Sequence, residues 1–292
     1  MSAPHRRSPA IRALAEGKGR PIRRARRRTS PRRARRPFPS ASAWCTHAFV
    51  PAPLRRSCVT TPLDRPIRGV LFDLDGTLVD SLADIHAAVA ATLADLGLPV
   101  PGAATVRGYI GNGVRVLLER ALSGALGHAP DAALAARAEA VFDPHYAAQN
   151  GRSARLYPGV SEGLAAFAAR GLPMAVVTNK PQRFSEALLA MLGIADRFAT
   201  VVGGDVAAQR KPHAEPLLLA CARIGVAPAD ALMIGDSAID AAAARAAGTA
   251  LVLVGYGYHH DAAADPHTRV VDRIDAIPAL FAVPAPRAGT GR

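Results

Sequence analysis

The stretch Gly69-Val70-Leu71-Phe72-Asp73-Leu74-Asp75-Gly76-Thr77 decides how this chain reads. A short apolar run without alternation ends in an acid, the pattern of a parallel strand covered on both faces. Four further runs look alike: Met174–Thr178, Thr200–Val202 ahead of Gly203-Gly204-Asp205, Leu232–Ile234 ahead of Gly235-Asp236, and Ala250–Val254. Helical patterns separate them, over Ser161–Arg170, Arg183–Leu192, Glu215–Ile224 and Ala238–Ala247. Gly171, Gly193, Gly225 and Gly248 mark their ends. Alternating strands and helices imply βαβ units. The expected fold is therefore α/β, a doubly wound parallel sheet with helices on both faces.

One interval breaks this rhythm. Asp73 and Thr178 stand 105 residues apart, whereas a crossover needs only a dozen or so. Within it, Leu82–Leu96, Val114–Ala121 and Ala132–Ala148 are Ala/Leu-rich and helical in pattern. Residues 84–153 read as a helical cap domain inserted after the first strand. That leaves 69–83 and 154–278 as the core and 279–292 as a flexible tail.

The 292 residues carry a formal net charge of +13, which by itself suggests a polyanion partner. The distribution of charge argues against one. Residues 1–68 hold 18 Lys+Arg and 2 acids, and the rest of the chain holds 18 basic and 21 acidic residues. The leader, with its arginine run from Arg23 to Arg36, reads as disordered because it repels itself and buries nothing. Being Arg-rich and acid-poor, it is similar to a transit peptide. A true start near Val59 or Leu63 would instead make it a leader without function. Of three cysteines only Cys221 lies in the body, so neither a disulfide nor a zinc cluster is expected there. A reducing cytoplasm fits. No apolar run approaches the roughly 18 residues that span a membrane.

Polar groups gather where open parallel sheets bind ligands, beyond the carboxyl ends of the strands. Asp73 ends the first strand, Thr178-Asn179-Lys180 the second and Gly235-Asp236-Ser237 the fourth, while Lys211 follows the third. Helix capping accounts for one such acid, but not for four placements along one sheet edge.

Asp73-Leu74-Asp75-Gly76-Thr77, Thr178-Asn179, Lys211-Pro212 and Gly235-Asp236-Ser237 with Asp240 resemble, in order, the four motifs of the haloacid dehalogenase superfamily. The resemblance covers residues 69 to about 278. Leu78-Val79-Asp80-Ser81, Gly111-Asn112-Gly113, Leu156–Val160, Val177–Pro181 and Gly255–Tyr258 bring it closer to bacterial phosphoglycolate phosphatases. The leader has no counterpart there.

This resemblance implies a phosphomonoester hydrolase. Asp73 would be the nucleophile that forms an aspartyl phosphate, and Asp75 the general acid and base. Lys211 would neutralise Asp73 and the phosphoryl group, with Thr178 and Asn179 donating to phosphoryl oxygens. Mg²⁺ would be held by Asp73, Asp236 and the backbone carbonyl of Asp75, with Asp240 steadying the lysine or a metal-bound water. The body has only two lysines, Lys180 and Lys211, among sixteen arginines. Lysine at Lys211 in so Arg-biased a chain supports the assignment, because an ammonium and a guanidinium are not interchangeable.

The implied substrate is a small phosphomonoester, 2-phosphoglycolate, hydrolysed to glycolate and phosphate. A sister phosphatase acting on a sugar phosphate and a β-phosphoglucomutase-like phosphomutase share the same motifs. Nucleic-acid binding through the leader is the non-enzyme alternative. No nucleic-acid or membrane partner is expected for the body, and monomer and homodimer stay open. In the cap, Asn112, Gly113 and Arg115 are candidates for substrate contact, Arg115 for a carboxylate. Lys180 fits a surface role as well as a functional one. Ser81 with Asp84 three residues on reads as a helix N-cap at the hinge. The histidines His86, His145, His213, His259 and His260 lack metal-ligand spacing.

Overall fold

β1 (Gly69–Phe72) lies inside a six-stranded sheet, and every one of its residues is buried. In the computed structural model, residues 66–259 and 268–282 are described. β1 pairs in parallel with β4 (Met174–Val177) on one side and β6 (Ala231–Gly235) on the other. β5 (Thr200–Val202) extends the sheet beyond β4, and β7 (Ala250–Val254) and β8 (Val270–Val271) extend it beyond β6, all parallel. The order is β5-β4-β1-β6-β7-β8. The edge strand β8 was not among the five expected, because two valines are too few to show a pattern.

Alternation along β1 explains its apolar run. Val70 and Phe72 enter a cluster with Phe167, Val176 and Ile234, whereas Leu71 enters the opposite cluster with Ala175, Met233 and Ala243. Both faces are thus covered, which is why no polar residue interrupts the strand. The first face is closed by α5 (Val160–Ala169), α6 (Gln182–Met191) and the 3₁₀ segment Ile274–Leu280. The second is closed by α7 (Glu215–Arg223) and α8 (Ala238–Ala247). Phe72 meets Phe167 and Phe198 edge-on, with centroids 5.6 and 6.0 Å away.

The core is longer than the sequence suggested. Ile67 is fully buried and Arg68 N–H donates to Asp230 O at 2.8 Å, so the packed chain begins before Gly69. At the other end Leu280 and Phe281 are buried and Phe281 stacks on Phe167, so the expected tail from 279 is packed at its start. The expectations for residues 1–65 and 283–292 lie outside the described residues. Among the described residues no helix is long and apolar enough to cross a membrane.

The long interval after β1 is helical: α1 (Leu82–Asp95), α2 (Ala103–Arg107), α3 (Val114–Leu126) and α4 (Ala132–Gln149). These helices share a hydrophobic cluster of their own, including Val89, Leu118 and Phe142, which takes in Phe184 and Tyr258 from outside the four helices. The chain leaves and re-enters the core through a two-stranded antiparallel ribbon, β2 (Val79–Asp80) with β3 (Arg155–Leu156).

The hinge departs from the expected cap. Ser81 precedes α1 but makes no side-chain capping bond. Asp84 is 2% exposed and accepts from the N–H groups of Gly151, Ser153 and Ala154 at 2.8, 2.8 and 3.2 Å. Its carboxylate ties the end of the helical insertion to its beginning, while the Ser81 N–H donates to Tyr258 OH at 2.7 Å.

Candidate active site

The site lies over the carboxyl ends of β1, β4 and β6, where three chain segments leave the sheet side by side. Asp73 follows β1 directly, and Asp236 follows β6. Their carboxylates, with that of Asp240, form a buried cluster whose oxygens lie within 4.8 Å of one another. Asp240 is brought there by the start of α8, where Ser237 and Asp240 form a reciprocal capping box. Asp240 is therefore fixed by the same helix turn that ends the β6 loop.

Lys211, 3% exposed, reaches into this cluster. Its Nζ is 2.8 Å from Asp73 Oδ1 and 2.7 Å from Asp240 Oδ1. Burial opposes its charge, but Asp240 and Asp73 outweigh burial and the ammonium is held above its ordinary value. Burial pushes the Asp73 carboxyl up to about 7, against the pull of Lys211 and with Asp240 and Asp236 adding repulsion. Asp236 is likewise pushed to about 7, first by burial and then by Asp240. Two buried acids crowded by a third are an unfinished charge balance.

The surroundings fit a hard divalent cation. The available donors are carboxylate oxygens, as Mg²⁺ prefers. The backbone also gives way to Asp236. Gly76, at φ +90°, lies so close that an added Cβ would stand 2.5 Å from Asp236 Oδ2. A Cβ on Gly257 would stand 2.2 Å from Asp236 Cβ. Tyr258 N–H donates to Asp236 Oδ2 at 2.7 Å, which anchors the carboxylate.

Asp75 sits differently. Its Oδ1 accepts from Ser81 Oγ at 2.5 Å, and Lys180 Nζ lies 3.1 and 3.2 Å from its two oxygens. The sequence left Lys180 open between surface and site, and the structure buries it beside Asp75, with 6% exposure. Lys180 also donates to Tyr146 OH, which comes from α4 of the cap. Sequence reasoning passed over Tyr146 because a lone aromatic on a cap helix looks like core packing. The stretch Gly255–Tyr258 entered the resemblance without a role for Tyr258, whose OH accepts from Ser81 N–H at 2.7 Å and donates to Asp80 Oδ1 at 3.1 Å.

Thr178 Oγ1 accepts from Lys180 N–H at 3.2 Å, which leaves its own proton to donate. Asn179 is otherwise engaged. Its Nδ2 donates to Gly111 O at 2.8 Å and to Lys211 O at 2.9 Å, and its Oδ1 accepts from Lys211 N–H at 3.0 Å. Both amide protons are spent on carbonyls, so in this arrangement the side chain binds the cap and the Lys211 loop, not a phosphoryl oxygen.

A cavity opens above Asp73, Asp75 and Thr178. The helical insertion roofs it with Ile110, Gly113, Val114, Leu117 and Phe142. Gly113 thus lies where the sequence expected substrate contact. Asn112 is half-buried and does not line the cavity. Arg115 stands outside it: the side chain is 66% exposed and bonded to Glu119 at 2.9 Å, one helical turn along α3. Its helix presents Val114 and Leu117 to the cavity, which turns position 115 outward.

Similarity to known proteins agrees with this geometry. Residues 67–248 match the model of the haloacid dehalogenase-like hydrolases. The phosphoglycolate phosphatase of Thiobacillus denitrificans is 46% identical over 194 residues, covering 66% of this chain and 86% of the relative. That of Escherichia coli is 42% identical over 233 residues, covering 73% and 92%. A crystal structure of a predicted phosphoglycolate phosphatase from Haemophilus somnus superposes with a TM-score of 0.68 at 34% identity, covering 74% of this chain and 98% of that one. With its motif acids gathered at one sheet edge under a helical insertion, the chain belongs to the haloacid dehalogenase-like hydrolase family.

Proposed function

We propose that the protein is a Mg²⁺-dependent phosphatase that hydrolyses 2-phosphoglycolate through a phosphoenzyme on Asp73. The observation that carries this is Lys211, buried and bridging Asp73 and Asp240 at 2.8 and 2.7 Å beneath the cavity. A carboxylate is a weak nucleophile, so it needs a fixed position and a neutralised phosphoryl group. Lys211 supplies both.

Asp73 attacks phosphorus, the bond from phosphorus to the ester oxygen breaks, and an aspartyl phosphate forms. Asp75 gives its proton to the departing glycolate oxygen. Asp75 then takes a proton from water, whose oxygen attacks phosphorus. The acyl phosphate bond breaks, inorganic phosphate leaves, and Asp73 is restored. Ser81 and Lys180 hold Asp75 between these steps. Thr178 and Lys211 donate to the phosphoryl oxygens. Asp73, Asp236 and the backbone carbonyl of Asp75 would hold Mg²⁺, with Asp240 steadying Lys211. The cation supplies charge neutralisation at the transferring group.

Residues 84–153 act as the cap that excludes bulk water and selects the substrate, while the core carries the chemistry. The single buried body cysteine, Cys221, suits a reducing cytoplasm. The test is a panel of phosphomonoesters assayed with Mg²⁺ and with EDTA, on wild type and Asp73→Asn. The expected result has 2-phosphoglycolate among the best substrates by kcat/KM, with activity lost in EDTA and in the variant. Full activity of Asp73→Asn would end this reading.

A further inference from the structure

The proposed substrate has two anionic ends, and the groups just described serve only the phosphate. The roof is apolar, so the carboxylate needs a partner elsewhere on the cavity wall. Arg115, the sequence candidate, points to solvent. Among the described residues one cation lines the cavity, and it is Lys180.

We propose that Lys180 and Tyr146 together form the subsite for the substrate's carboxylate. The inference rests on the phosphoglycolate reading given above. Proton counting supports it. An ammonium has three protons. In Lys180 one side faces the Asp75 oxygens and another proton goes to Tyr146 OH. The two Asp75 oxygens belong to one carboxylate, at 3.1 and 3.2 Å, so one proton shared between them leaves the third for a substrate oxygen. Tyr146 accepts from Lys180, so its own hydroxyl proton is also unspent, and no described group takes it. Two donors side by side match the two oxygens of a carboxylate, and a charged donor makes the bond a strong one.

The pair is rigid. Tyr146 is 2% exposed, stacks on Phe142 at 5.2 Å and meets Phe184 edge-on at 4.8 Å. Lys180 is held over its ring, 4.8 Å from the centroid. Rigid donors bind without losing rotamer entropy. The apolar roof adds selection against polar substrates. A sugar phosphate would bury hydroxyls against Ile110, Val114 and Leu117 with nothing to accept their protons. One partner comes from the core and the other from the cap, so the subsite is complete only with the cap docked, and carboxylate binding favours that state.

The test compares 2-phosphoglycolate with ethyl phosphate, which keeps the phosphate and loses the carboxylate. The readout is the ratio of the two kcat/KM values in wild type, Lys180→Met, Lys180→Arg and Tyr146→Phe. A ratio cancels any general effect on Asp75. The ratio is expected to fall by a factor of about 100 in Lys180→Met and about 10 in Tyr146→Phe. Lys180→Arg should recover part of it, with the loss appearing chiefly in KM. An unchanged ratio, with both substrates losing equally, overturns the proposal and makes Lys180 an anchor of Asp75 only. Tyr146→Phe keeps the ring in its stack and decides the matter even if Lys180→Met does not fold. Wild type that hydrolyses p-nitrophenyl phosphate but not 2-phosphoglycolate overturns the substrate reading and this inference together.

Discussion

Replacing Asp84 by alanine should destabilise the protein far more than the loss of a helix cap. The carboxylate is 2% exposed and accepts from three backbone N–H groups at the return of the cap to the core. A hydrogen bond to a charged acceptor contributes about 1.5–3 kcal/mol. Ser153 is exposed and Gly151 half-buried, so water can replace the acceptor at both, and their bonds count at the low end. Ala154 is 1% exposed, and its N–H would stay dry and unpaired. Removing the buried charge returns some of the desolvation cost, which leaves a net loss of about 3 kcal/mol. For a chain of this size that lowers Tm by about 6–12 °C. Urea unfolding and calorimetry measure it, with Ser81→Ala as the comparison. If the pair were a capping box, both variants would lose about 1 kcal/mol. A loss in Asp84→Ala no larger than in Ser81→Ala would refute the reasoning.

Asp73→Asn should cut kcat by more than roughly a thousandfold with the fold intact, since the proposed nucleophile is gone, as measured by phosphate release alongside circular dichroism. Apparent Mg²⁺ affinity should rise as pH increases through about 7 and level off above it. Burial holds protons on Asp73 and Asp236 up to about 7, above their ordinary value of 3.8, and the cation must displace them. Titration calorimetry at pH 5.5, 7 and 8.5 checks this, and an affinity independent of pH contradicts it. Gly257→Ala places a Cβ 2.2 Å from Asp236 Cβ and should weaken Mg²⁺ binding tenfold or more, by roughly 1.4 kcal/mol, read from the Mg²⁺ dependence of kcat. Arg115→Ala should leave kcat/KM for 2-phosphoglycolate within about twofold, because its exposed guanidinium lies outside the cavity.

The sheet was legible because buried parallel strands leave a one-dimensional trace. Val70, Leu71 and Phe72 need no context to be read as a strand, and a strand end fixes where Asp73 must lie. Asp236 and Lys211 follow from the same rule applied to neighbouring strands. The cap residues obey no such rule. Tyr146 meets Lys180 through the packing of α4, and nothing in the spacing of either residue announces the contact. Asp84 looked like a capping partner because local pattern favours the nearest helix end. Its true partners, Gly151 to Ala154, become neighbours only when the cap closes on itself. Arg115 misled for a related reason. Guanidinium chemistry suits a carboxylate, but which face of α3 looks inward is settled by Val114 and Leu117 burying themselves under the roof.

The charges of the site bear on the proposed cation. Asp73, Asp75, Asp236 and Asp240 face two ammonium groups, so the site holds two negative charges in excess before a substrate arrives. The lysines do not share their charge evenly. Lys211 lies between Asp73 and Asp240, and Lys180 beside Asp75. The excess therefore collects between Asp73 and Asp236, the two carboxyls that burial pushes to about 7. A divalent charge there would restore neutrality and favour an ionised Asp73, as its proposed role as nucleophile demands. Two uncompensated carboxylates among six charged side chains thus support the proposed dependence on Mg²⁺.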